Sequence, residues 1–238
     1  MTSVFAKDAK QMFLRRKVEL TFRGFLMGGV PKDPKIIEGW LRTKTMVTDE
    51  EELRQMAIRT MRELGADVSE GMTYEEAVTA AEAMAVEKHT NGFKSDEKGL
   101  YIEGRQVKAM LKENVNIVYA GTKKGQTRKG AKNYAAERVF VEEERVYLGR
   151  TAPDGVLVMI GHINGPGGPR ATLTNVEYVD RAVITFTIKE MRAKPGDDEP
   201  SLTDTEWRNV WLSAEENGLG AARSQSHGRF EVTGWTTL

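Results

Sequence analysis

Two capping boxes, Thr48-Asp-Glu-Glu51 and Thr73-Tyr-Glu-Glu76, open helices within one stretch of the chain, and helical signals are concentrated there, between residues 33 and 88. Leu53, Met56, Ala57, Thr60 and Met61 give the first of these helices an inward stripe, and Gly65 closes it. The second is predicted from Thr73 to about Glu87, with an alanine-rich middle that lets a neighbour approach closely. Asp33 and Pro34 predict a shorter helix ahead of both, running through Ile36, Ile37, Trp40 and Leu41.

Outside this block the pattern is mostly extended. Val18–Met27 predicts a strand bent near Gly24, and Leu100–Ile102 predicts a short strand. Gly104 follows, then a helix with Val107, Met110 and Leu111 facing in. Further strands are predicted near residues 138–141, 145–148, 156–163 and 182–191, with 172–178 as a candidate fifth. Gly165-Pro-Gly-Gly-Pro169 reads as an irregular loop, because prolines and glycines do not sustain a ladder. Thr203 caps a helix through Trp207, Val210, Trp211 and Ala214, Asn217-Gly218 stops it, and Arg229–Trp235 is the final strand. The order is compatible with an α+β protein: a ferredoxin-like (RRM-like) antiparallel sheet core, β-α-β-β-α-β, in a single domain over 1–238 with 33–98 a helical insertion.

Composition narrows the chemistry. Apolar residues at 39% and charged residues at 29% suit a globular chain rather than a disordered one. The absence of cysteine excludes a disulfide framework, a thiolate metal site and a cysteine nucleophile together. His89, His162 and His227 are too scattered for a zinc site by spacing. The N-terminal residues mix charges into their apolar positions and read neither as a signal peptide nor as a membrane span, so a cytoplasmic location is expected. Thirty-five basic and 35 acidic residues cancel, and any affinity for a phosphate backbone must come from local charge.

Such local charge exists. Residues 121–132 carry five cations and three glycines with no acid, predicting a flexible basic loop with Lys123, Lys124, Arg128 and Lys129 available to a phosphate backbone. Tyr119 and Tyr134 flank it, with Tyr101 upstream, where rings either stack on bases or pack in the core. Gly218-Leu-Gly-Ala-Ala-Arg-Ser-Gln-Ser-His-Gly228 joins the last helix to the last strand. Its glycines permit close backbone approach, and Arg223 and His227 supply polar heads for a phosphate cradle. The alternative is a helix C-cap with a bulged entry to an edge strand. This run is not a dinucleotide fingerprint, which needs a strand before it and a helix after it. Residues 121–132 lack the spacing of a Walker loop. Glu142-Glu-Glu144 reads as a hairpin turn rather than a metal site, and His162 as a hydrogen-bond partner of the adjacent loop.

Gly218-Leu-Gly220, Arg223-Ser224 and Gly228-Arg-Phe230, ahead of the final strand, resemble the signature loop of the RAMP superfamily, the RNA-binding proteins of CRISPR effector complexes. Leu100-Tyr-Ile-Glu-Gly-Arg-Gln-Val-Lys-Ala-Met-Leu111 is similar to that family's strand, Gly-containing turn and Lys-bearing helix, departing from it in having Gly104-Arg-Gln before the lysine. Together the two segments cover roughly a tenth of the chain. The general look also resembles phage and prophage proteins. The RAMP resemblance implies a ferredoxin-like core and copies stacked along a single strand of RNA, with Arg105 and Lys108 at the helix start joining the contacts.

The expectation is therefore non-catalytic binding of RNA or single-stranded DNA along a homo-oligomeric assembly. It needs no cofactor and no metal. Lys123, Lys124, Arg128, Lys129, Arg105, Lys108, Arg223 and His227 are the residues expected to make contact. The rivals are a self-assembling structural protein that never touches nucleic acid, favoured by zero net charge, and a metal-independent ribonuclease using His227.

Overall fold

The structure, a computed structural model, describes residues 12–32, 37, 49–63, 66–69, 71–84, 90–119, 131–165, 168–192 and 202–238. Strands β1 (Phe13–Phe22), β2 (Phe25–Met27) and β3 (Val30–Pro31) precede helices α1 (Glu50–Glu63) and α2 (Tyr74–Met84). Strands β4 (Thr90–Gly92), β5 (Lys94–Asp96) and β6 (Gly99–Glu103) lead into α3 (Gly104–Tyr119). Helix α4 (Ala131–Arg138) runs into β7 (Val139–Val141) and β8 (Arg145–Tyr147). Strands β9 (Gly155–Gly165), β10 (Gly168–Asp180) and β11 (Val183–Met191) are followed by α5 (Asp204–Asn217), a 3-10 turn at Arg223–Gln225, and β12 (Phe230–Thr237). Two compact units result. The first comprises Met1–Leu26, Ile102–Gly149 and Asp180–Leu238, and the second Met27–Tyr101 and Arg150–Val179.

The first unit is built on a four-stranded antiparallel sheet in the order β12-β1-β11-β7. With α3 and α4 between β1 and β7, and α5 between β11 and β12, this is the ferredoxin-like arrangement expected from the element order. Alternation along β1 buries Arg16, Val18, Leu20 and Phe22 and turns Phe13, Arg15, Lys17, Glu19 and Thr21 to the other face. Ile184, Phe186 and Ile188 of β11 are buried with them, as are Val107, Met110, Leu111 and Val115 of α3 and Trp207, Val210, Trp211 and Ala214 of α5. Each large apolar side chain so buried contributes about 1.5–3 kcal/mol. A polar link joins the two helices inside this core: Asn114 donates to the Met110 carbonyl (2.9 Å), and its side-chain oxygen accepts from Ser213 Oγ (2.9 Å) and Asn217 Nδ2 (2.7 Å).

Several sequence expectations meet the structure directly. Helix α5 carries its capping box, Thr203 N donating to Glu206 at 2.8 Å and Glu206 N to the Thr203 hydroxyl at 3.3 Å. The same reciprocal pair joins Thr73 and Glu76 ahead of α2. At α1 the cap is Asp49, whose carboxylate accepts from Glu52 N at 2.8 Å; Thr48 lies outside the described residues. The first strand starts earlier than expected, at Phe13, because Arg15 and Lys17 occupy outward positions where charge is tolerated. Helix α4 occupies residues that the sequence left as loop and strand.

The second unit has its own core, where Leu53, Ala57, Ile58 and Met61 of α1 meet Ile37, Val68 and Ala77. Strands β10, β4 and β3 pair in that order, and β9 pairs with β10 as a long antiparallel ribbon. The ladder continues through Pro169↔Asn164 to Gly168↔Gly165, correcting the expectation of an irregular loop at 165, 168 and 169; residues 166 and 167 lie outside the described residues. A two-stranded ribbon leaves every second amide unpaired, which relaxes the demand that excludes proline from sheet interiors. Among the described residues no helix is long and apolar enough to cross a membrane.

Candidate nucleic-acid interface

The glycine-rich run between α5 and β12 is an ordered, closed loop. Gly218 ends α5 at φ 74°, its N–H donating to the Ala214 carbonyl at 2.8 Å. The neck is sealed by Leu219 N to Gly228 O (2.9 Å) and Gly228 N to Phe25 O (2.9 Å), with Leu219 buried beneath. A Cβ at Gly218 would stand 2.8 Å from the Gly228 carbonyl oxygen, and one at Gly228 would overlap the Leu219 carbonyl. Only glycine fits at either side.

Within the loop, Gly218, Gly220 and Ala222 have positive φ at every second position, and Ser226 and Gly228 follow with φ 67° and 74°. The loop's backbone is largely self-paired: the N–H groups of Gly218, Leu219, Gln225, Ser226 and Gly228 all donate to backbone carbonyls. For Ala222 and Ser226 the left-handed conformation costs about 1–2 kcal/mol each. Ser224, Gln225 and Ser226 are exposed at the tip.

Four of the eight site residues expected from the sequence lie among the described residues. Arg223 lies on the 3-10 turn and is already paired, Nη1 reaching Glu113 Oε2 on α3 at 2.7 Å, with side chains 35% and 45% exposed. The His227 ring stacks on Phe25, with centroids 6.3 Å apart and planes at 17°. Arg105, in the first turn of α3, is exposed and donates from Nε to Glu103 at 3.0 Å. Lys108, one turn on, holds its ammonium 4.6 Å from the Phe140 ring centroid. Arg223 and His227 thus share the loop, Arg105 and Lys108 share α3, and the Arg223–Glu113 pair ties the loop to that helix. Lys123, Lys124, Arg128 and Lys129 fall outside the described residues. Tyr101 is 3% exposed, which settles it as a packed ring rather than a stacking surface.

Sequence reasoning missed Glu113 and Phe25, the partners of Arg223 and His227. Neither carried a local signal, since the first is 110 residues from its arginine. The Glu142–Glu144 run is spent on structure. Glu142 binds Arg15, the Glu143 carboxylate accepts from Thr187 N at 2.7 Å, and the Glu144 carbonyl accepts from Gly104 N at 2.9 Å. Among the described residues no group of three or more His, Asp or Glu is placed to hold a metal ion.

No protein-family model matches the sequence, and no curated protein matches it. Among solved structures, the chain is similar to one in the cryo-EM structure of the type III-B Cmr-beta bound to cognate target RNA, at 14% identity and a TM-score of 0.46. That alignment covers 97% of this chain and 62% of the other, so this chain spans less than two thirds of its length.

Proposed function

We propose that this protein binds single-stranded nucleic acid, RNA foremost, without cutting it, as a RAMP-like subunit repeated along the strand in the cytoplasm. The observation that carries the reading is the Gly218–Gly228 loop. Its backbone holds two strained non-glycine residues and alternating positive φ, and it presents Arg223 beside exposed serines. Strain of this kind persists where the surroundings enforce it, and such residues cluster at ligand clamps. A phosphate at the loop would meet the Arg223 guanidinium and the exposed Ser224 and Ser226 hydroxyls together. The ferredoxin-like core and the resemblance of this loop to the RAMP signature favour RNA over other anions. Arg105, Lys108 and the basic residues Lys123, Lys124, Arg128 and Lys129 would extend the contact along the backbone.

The test is purification of the protein at low salt, reading the ultraviolet absorbance ratio and particle size before and after RNase or DNase. A large particle with excess nucleic-acid absorbance that shrinks on nuclease treatment is expected. A protein spectrum whose size ignores both nuclease and salt would sink the reading. In the same preparation added RNA should stay intact, and cleavage that disappears in His227→Ala would instead make the protein a ribonuclease.

One observation favours a second reading, self-association without nucleic acid. The β9–β10 ribbon exposes Val158 at 64%, Ile160 at 60% and Leu173 at 64%, and Ile160 pairs directly with Leu173. An apolar stripe of this kind is a surface for another copy of the chain. Particles held by it would resist salt and nuclease alike.

A further inference from the structure

The sheet of the first unit has a face turned away from its helices, and that face carries an aromatic pair set among cations. Phe13, Arg15 and Lys17 of β1 point to it, while their neighbours Arg16 and Val18 are buried on the opposite side. Lys189 of β11 lies opposite Arg15 on one flank and Phe140 of β7 on the other. The Phe13 and Phe140 rings meet edge to face, centroids 6.1 Å apart and planes at 82°. Lys189 Nζ stands 4.6 Å from the centroid of Phe13, and Lys108 Nζ 4.6 Å from that of Phe140. Both rings are only half-buried, so each keeps surface that another planar group can cover.

Three of the cations around these rings are unpaired. Arg15 is matched by Glu142 through Nε at 2.9 Å and Nη2 at 2.5 Å. Glu19 accepts from the Thr233 hydroxyl at 2.9 Å. Glu143 acts on Arg15 as well, and Glu231, opposite Thr21, pairs with Arg23, whereas Lys17, Lys108 and Lys189 have no ion-pair partner among the described residues. A protein partner for such a surface would need matching carboxylates around two flat rings. A single nucleic-acid strand offers both features as a repeating unit, phosphates outside and bases to stack.

We infer that this sheet face holds a segment of single-stranded nucleic acid, with bases stacked on Phe13 and Phe140 and phosphates taken by Lys17, Lys108 and Lys189. The inference rests on the proposed function, but its residues other than Lys108 lie outside those the sequence singled out.

The experiment is fluorescence anisotropy of a labelled oligouridine titrated with the full chain across a salt series. Phe13→Leu combined with Phe140→Leu keeps apolar volume and removes the rings. Binding is expected to weaken roughly 5- to 100-fold with the salt slope unchanged. Lys17→Ala with Lys189→Ala should instead lower that slope by about 1.4, the single-strand value for two phosphate contacts. Phe13→Trp should retain binding and show a fluorescence change on adding oligouridine that wild type lacks. If the leucine variant binds like wild type while Arg223→Ala weakens binding, the sheet-face inference is overturned and the proposed function stands. If wild type binds no oligonucleotide, both fall. Loss of self-association in the leucine variant, with oligonucleotide binding intact, would assign the face to a second copy and overturn the inference.

Discussion

Arg16 and Glu190 meet at 2.7 Å with side chains 3% and 0% exposed, an ion pair sealed under the sheet of the first unit. Glu190 also accepts from Trp207 Nε1 at 2.9 Å and Leu202 N at 2.8 Å, and the Arg16 guanidinium lies 5.1 Å from the Trp235 ring centroid. Deleting one member of such a pair leaves an uncompensated buried charge, which costs about 3–5 kcal/mol. Glu190→Leu and Arg16→Met should each lose about that much stability in urea unfolding. The double variant Arg16→Met/Glu190→Leu should lose clearly less than the sum of the single changes. Additive losses would show that the two residues act independently.

The contact between Arg223 and Glu113 gives the candidate site an internal competitor. If the arginine serves a phosphate, Glu113 opposes it, and Glu113→Gln should tighten RNA binding about 2- to 5-fold, the scale of an exposed ion pair. Arg223→Ala should weaken binding and reduce the salt slope by about 0.7. Anisotropy titrations at two salt concentrations measure both. Weaker binding by Glu113→Gln would mean that the pair holds the loop in its competent form.

At Gly228, φ is 74° and the position facing a Cβ is filled by the Leu219 carbonyl. Gly228→Ala therefore combines a left-handed penalty of about 1–2 kcal/mol with a backbone clash that the neck must open to relieve. A lower melting temperature together with weakened RNA binding is expected. Gly24, with nothing near its Cβ direction, is the control, and Gly24→Ala should leave both unchanged.

Two exposed carboxylates set the expected response to acid. The Arg23 guanidinium, hydrogen-bonded at 2.6 Å, holds the Glu216 carboxyl below its ordinary value, and the Thr73 amide and hydroxyl do the same for Glu76. A depressed folded-state pKa adds stability above the unfolded value, and that stability is lost as pH falls through the folded one. Melting temperature should thus decline below the ordinary glutamate range, less steeply in Glu216→Gln and Glu76→Gln than in wild type. Parallel curves would remove both groups from the acid response.

The core was legible in the sequence wherever local rules sufficed. The Thr203 and Thr73 capping boxes, the Val107-Met110-Leu111 face of α3 and the order of strands and helices together imply the ferredoxin-like sheet. What stayed hidden depended on partners far along the chain. Arg16 reads as one charge in a basic cluster until Glu190 makes it a core residue. The strand at Phe13–Lys17 was obscured for the same reason, since its outward cations break the apolar pattern used to find strands. Pro169 misled in the opposite direction, its usual veto on pairing being relaxed in a two-stranded ribbon. In the candidate site, the glycines announced the loop, but Glu113 and Phe25 carry no signal in their own neighbourhoods.

The central strand β1 pairs on one side with β11 and on the other with β12, so that Lys17 stands opposite Thr187 and Thr236. Both neighbours are therefore translated long after it, and the sheet cannot close until β12 has left the ribosome. Closing loops of that length is entropically slow to begin, and non-local pairing of this kind delays the folding transition. The helical core of the second unit, drawn from residues 37–77, has no such wait, although β4 still awaits β10. During synthesis the helices between the first strand and its partners can pack first, leaving one edge of β1 open to pairing with other chains until β11 is made and the other until β12 is made.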